Sequence, residues 1–159
     1  MTESRRQITI TKLNDKIYFA GGRLAEANHL FSNLVEVLDT RTDKWSSFNI
    51  TQPRGGILLA AIDPYILFIS GYTFSLPSRA IDIWNTETET LQTVEFDSAY
   101  LGKFQVMGRS VFIISARFGL RSFNVDTLTW TDHNIAGISS LTSNGTHLFA
   151  LMSDTPNSI

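Results

Sequence analysis

The sequence predicts an all-β fold assembled from repeated four-stranded antiparallel units, and three observations carry that prediction. Short apolar runs rich in Val, Ile, Leu, Phe and Tyr follow one another along the chain, each bounded by Gly, Pro, Asn, Asp or Ser, as strands are. Large apolar residues stand seven apart in three places, as Leu38 and Trp45, Trp84 and Leu91, and Phe123 and Trp130, with a polar turn residue after the first of each pair (Asp39, Asn85, Asn124). Finally, the corresponding strand positions Ile17, Ile66, Val111 and Leu148 are separated by 49, 45 and 37 residues. That period belongs to a supersecondary unit of four strands and exceeds most helical repeats.

The elements can be justified in order. Ile8 to Leu13 alternates apolar and polar residues and leads through Asn14-Asp15 into Ile17 to Ala20, a strand, a tight turn and a strand. The same hairpin recurs as Ile57 to Ile62 with Tyr65 to Ile69, as Lys103 to Met107 with Ser110 to Ser115, and as Ser139 to Thr142 with His147 to Met152. Ile57 to Ile62 and Ile66 to Ile69 are apolar on both faces, as strands covered on both sides must be. Asp63-Pro64 and the β-branched content argue against a buried helix there. Third strands are expected at Leu34 to Leu38, Ala80 to Trp84 and Leu120 to Phe123. Fourth strands follow at Lys44 to Phe48, Thr90 to Phe96 and Thr129 to His133.

Four strands per unit at this period make the blade of a β-propeller. The first unit reads Ile-Tyr-Phe-Ala-Gly-Gly (Ile17 to Gly22), then Leu-Asp-Thr (Leu38 to Thr40), then Trp45, and it resembles the kelch repeat, whose marks are a glycine pair after the second strand, a Tyr-Asp-Pro turn and a Trp. Leu38 stands where the Tyr is expected and Thr40 where the Pro is. The second unit keeps Gly71 and puts Leu91 at the Trp position; the third has Ser115-Ala116 for the glycines and keeps Trp130. The resemblance spans Ile8 to Met152 and implies a partial kelch-like propeller of about three and a half blades. Their spans are roughly 7–50, 55–97, 102–134 and, for the partial blade, 137–153 within one segment, 1–159. Trp45 and Trp130 are expected between blades. Closed propellers have roughly four to eight blades, so the arc is expected to be completed by a second copy, as a homodimer, or by a longer propeller of which it is part.

Composition narrows function. With 43% hydrophobic residues, 18% charged residues and a net charge of -2, the chain is neither disordered nor built for polyanions, and nucleic acid is not an expected partner. There are no cysteines, hence no disulfide framework, thiolate metal site or cysteine nucleophile. His29, His133 and His147 lack paired ligand spacing, so no metal or other cofactor is expected. No run reaches membrane-spanning length and none reads as a leader, which places the expected compartment in the cytoplasm. Asn49 and Asn144 sit in sequons that would matter only for a secreted chain.

No nucleophile elbow or phosphate loop is present, and Gly21-Gly22 is better explained by tight blade packing. What remains is a set of loops expected on one face. These hold Arg23, Arg54, Tyr72, Arg79, Tyr100, Arg117 and Phe118, with four Arg there against the two acids Glu26 and Asp97. The kelch resemblance implies that this face binds a protein partner. Arg forks and aromatic rings suit an acidic peptide. Two other readings remain open: a small-molecule or sugar-active propeller enzyme using Glu26, His29 and Asp97 at the channel mouth, and a half-ring whose activity is assembly.

Overall fold

A computed structural model describes residues 3–27, 30–74, 76–96, 102–115 and 119–153. Among them there is no helix. The strands are β1 (Arg5–Arg6), β2 (Thr9–Leu13), β3 (Lys16–Ala20), β4 (Arg23–Leu24), β5 (Leu34–Asp39), β6 (Lys44–Asn49), β7 (Leu58–Ile62), β8 (Tyr65–Ile69), β9 (Ala80–Asn85), β10 (Thr90–Glu95), β11 (Phe104–Met107), β12 (Ser110–Ser115), β13 (Gly119–Asn124), β14 (Thr129–Asp132), β15 (Ile138–Ser143) and β16 (Leu148–Met152). Three four-stranded antiparallel sheets, β2-β3-β5-β6, β7-β8-β9-β10 and β11-β12-β13-β14, are followed by the two-stranded β15-β16. The fold is thus all-β, a partial propeller of consecutive blades. The short ladder β1-β4, which pairs Arg5 with Leu24 and Arg6 with Arg23, is an addition that the periodicity does not announce. The chain divides into two compact units, Met1–Ala99 with the first two blades and Tyr100–Ile159 with the third blade and the last hairpin.

The seven-residue spacing is the geometry of one turn. Leu38 lies opposite Trp45, Trp84 opposite Leu91 and Phe123 opposite Trp130 in the outer hairpins. Each intervening turn is held alike: Asp39 Oδ1 accepts the N–H groups of Arg41 (2.9 Å) and Thr42 (3.1 Å), Asn85 Oδ1 those of Glu87 (2.9 Å) and Thr88 (3.1 Å), and Asn124 Oδ1 those of Asp126 and Thr127 (both 3.0 Å). A short side-chain acceptor is needed at that position to close the turn. Thr40 at the expected proline position has a use as well. Its N–H and its hydroxyl both donate to Asp15 O (2.8 Å each), and a proline has no N–H to give. Thr86 repeats the arrangement on Pro64 O.

In the unit Met1–Ala99 the core lies between the two blades. One face of the first, bearing Tyr18, Ala20, Val35 and Val37, packs on Ile57, Leu59, Ile66 and Phe68 of the second, and the innermost strands β2 and β7 adjoin. Phe48 closes the outer part, stacking on Trp84 at 3.9 Å and meeting Phe68 edge-on at 5.9 Å. Each such side chain taken from water contributes about 2 kcal/mol. In Tyr100–Ile159, β15 packs on β11 and β12 in the same order of contact.

Trp45 departs from the expectation that it is buried between blades. It pairs with Leu38, on the face of the first blade opposite Tyr18 and Val37, and remains 46% exposed with Phe19 beside it at 5.4 Å. Alternation along the strand decides this: Phe48, an odd number of positions away, turns to the second blade and Trp45 turns from it. Trp84 is the tryptophan that packs between these two blades. Trp130 is half-buried, 5.1 Å from Phe123 and under the Arg121 guanidinium at 5.3 Å.

Candidate functional site

The loops between second and third strands in Met1–Ala99 build a cleft of about 720 Å³, within the range of roughly 300–1,000 Å³ typical of binding pockets. Its position follows from a chain of close approaches. Gly55 exchanges backbone hydrogen bonds with Tyr72 (3.0 and 2.8 Å), and Tyr72 bridges to Pro77. The ring of Phe31 lies against Gly55 so tightly that a Cβ there would meet ring carbons at 2.5 and 2.7 Å. A glycine is therefore what lets the 23–33 loop approach the 71–79 loop. The cleft between them is walled by Leu30, Phe31, Pro53, Phe74, Leu76 and Pro77, with Arg79 and Glu95 as its charged members.

The 71–79 loop is braced. Thr73 donates from its N–H (3.0 Å) and its hydroxyl (2.7 Å) to Leu76 O, Ser78 N–H donates to Gly71 O (2.7 Å), and Ser78 Oγ donates to Gln52 Oε1 (3.0 Å). Held that way, Phe74 and Leu76 are 72% and 69% exposed. Large apolar side chains fixed in water at a cleft mark contact surfaces. Arg79 donates from Nε to Phe96 O (2.7 Å), and its other guanidinium nitrogens make no hydrogen bond among the described residues.

Of the loop residues singled out in the sequence, Arg23, Tyr72 and Arg79 are exposed and belong to these two loops; Arg23 lies over the Phe31 ring at 5.3 Å. Tyr100, Arg117 and Phe118 lie outside the described residues, as do Asn28, His29 and Asp97. Arg54 is a correction. It was expected on the exposed face and is instead fully buried, ion-paired through Nη2 with Asp82 Oδ2, its Nη1 donating to Ser70 O and Ala80 O (2.9 Å each). Burial lowers its pKa from the ordinary arginine value, and the Asp82 charge opposes that shift.

The same device precedes it by 49 residues, where Arg5 donates to Gly21 O (2.8 Å), Leu34 O (2.7 Å) and Glu36 Oε2 (2.6 Å). In both blades the guanidinium ties the end of the second strand, the start of the third and a buried acid together. The offset between Arg5 and Arg54 was the signal that could have marked them as structural. Phe74 and Leu76 carried a signal too, as apolar residues in a stretch whose neighbours are turn formers.

Among the described residues no cluster of three or more His, Asp or Glu side chains could hold a metal ion. His133 is committed to Ser122 Oγ (2.9 Å) and stacks on Phe112. Among those residues, too, no helix is long and apolar enough to cross a membrane.

Blades of four antiparallel strands, repeated at this period, are those of a partial β-propeller. The family model for the Kelch motif matches residues 4–49, the first blade with its Arg5 staple, so the chain carries a kelch motif there, which in general terms supports a protein-interaction role. No curated protein matches the sequence.

Proposed function

We propose that this chain is an interaction platform whose protein partner docks in the cleft between the 23–33 and 71–79 loops. The partner inserts an apolar side chain among Phe31, Phe74 and Leu76 and sets a carboxylate against Arg79. The observation that carries this reading is the pair Phe74 and Leu76, held exposed on a hydrogen-bonded loop beside the exposed Arg79, whose Nη nitrogens make no hydrogen bond among the described residues. An Arg–carboxylate fork supplies orientation, and the apolar anchor supplies most of the affinity. The fitting segment is an acidic peptide with one large apolar residue.

A random-peptide display selection on the full chain tests it. The expected outcome is enrichment of peptides in which an aliphatic or aromatic residue stands near Asp or Glu, with binding lost at least tenfold in Leu76→Ser and in Arg79→Gln and kept in Arg41→Gln, whose side chain is exposed in an outer-hairpin turn. Selected peptides indifferent to both cleft substitutions would overturn the assignment.

A further inference from the structure

Every blade has two faces, and the contact between the first two blades shows what each face requires. On the second blade the face that receives its predecessor carries Leu59, Ile66 and Phe68, all buried beneath the Tyr18, Ala20, Val35 and Val37 face of the first. Displacement by 49 residues gives the same positions on the first blade: Ile10, Ile17 and Phe19. Those three positions are apolar there too, with Lys12 where the second blade has Ala61, and Ile10 is 54% exposed and Trp45, at the outer margin of the face, 46%.

The opposite half of the contact also stands open. Residues of β16 correspond to those of β3 at a displacement of 131, so that Phe149 matches Tyr18 and Leu151 matches Ala20. Register agrees, since Thr142 faces Phe149 as Thr11 faces Tyr18. Phe149 is 53% and Leu151 67% exposed, and the outer edge of β16 pairs with no strand among the described residues. The chain therefore carries inner-strand positions of both mates of one blade-to-blade contact, and Ile10, Phe149 and Leu151 among them are exposed.

We propose that they mate between two copies of this chain. The β15-β16 hairpin of one copy lays Phe149 and Leu151 on Ile10 and Phe19 of the other, as Tyr18 and Ala20 lie on Leu59 and Phe68. A pair forms two such contacts at once, so closing the second is effectively intramolecular and strengthens both. Two chains, each of three four-stranded sheets and one hairpin, contribute eight blade positions, at the upper end of the roughly four to eight of closed propellers. A second copy is the occupant because this chain itself presents the inner-strand positions of the matching surface, Phe149 and Leu151 for Tyr18 and Ala20.

Light scattering on the full chain, with far-UV circular dichroism to confirm folding, tests the proposal. Wild type is expected to run as a dimer. Ile10→Lys and Leu151→Glu alter exposed side chains and should each give a folded monomer. Mixing the two variants should restore the dimer, because one of its two contacts is then wild type and the other pairs Lys with Glu. A monomeric wild type, which would mean that the faces are covered by other segments or other proteins, overturns it. So does a dimer indifferent to both substitutions, or an open-ended polymer.

Discussion

Arg54 and Asp82 show what a charge does when a blade closes over it. Asp82 also accepts from Thr51 N–H (3.2 Å), Thr51 Oγ1 (2.7 Å) and Thr93 Oγ1 (2.6 Å), so that its oxygens are satisfied only while every partner is present. Replacing Arg54 by Met strands a buried carboxylate, and urea unfolding should show a loss of about 3–5 kcal/mol. Arg41→Met, at an exposed site, should change stability by less than ~0.5 kcal/mol in the same assay. A second prediction concerns pH. Hydrogen bonds from Arg109, at 2.8 Å from Nε and 2.6 Å from Nη2, hold the Asp126 carboxyl below its ordinary value of 3.8. A carboxyl depressed by folding contributes stability above that ordinary value and loses it as pH falls through the folded-state pKa. NMR titration should place Asp126 below an unfolded-chain aspartate, and Arg109→Ala should move it upward.

At the scale of the element, the glycine pair and the tryptophans decide how blades meet. A Cβ on Gly21, at φ +58°, would collide with Arg54 O and lie 2.7 Å from the Ile57 Cδ1, and one on Gly22 would lie 2.6 Å from Arg6 O. Gly22 N–H meanwhile donates to Arg54 O at 3.0 Å, joining the first blade to the segment that begins the second. Gly21→Ala should thus destabilise by considerably more than the ~1 kcal/mol that separates Gly and Ala propensities, with thermal unfolding as the measure. The tryptophans should separate cleanly. Trp84→Ala removes the ring stacked on Phe48 and is expected to cost about 3 kcal/mol, toward the lower end for large aromatics. Trp45→Ala in the isolated chain should cost about 1 kcal/mol or less, as at other solvated positions.

For the whole molecule, the core described between the first two blades is made of residues 18–68, all within Met1–Ala99. A fragment of residues 1–96 should consequently fold and unfold cooperatively, as circular dichroism during urea titration can establish. That fragment also contains every described wall of the loop cleft. It should retain peptides selected on the full chain, which would separate cleft binding from any self-association through β16.

Local chemistry wrote the ladder of each blade into the sequence. Alternation, the Asp39, Asn85 and Asn124 turns and the recurrent spacing depend on neighbours a few residues apart, so the strands were placed to within a residue or two. Other features depend on what the chain brings from far away. Arg54 reads as a loop arginine until Asp82, 28 residues on, is folded beside it. Leu128, like Asp43 and Glu89 at the same turn position, takes a positive φ (57°, 53° and 54°) because the hairpin demands it, although a leucine announces nothing of the kind. Trp45 reads as core because its residue type is right, and only the choice of which face the second blade covers leaves it in water. The cleft is the same case: Phe74 and Leu76 become a surface when Gly55 admits Phe31 from the preceding loop, an approach that periodicity cannot express because it is made between repeats and not within one.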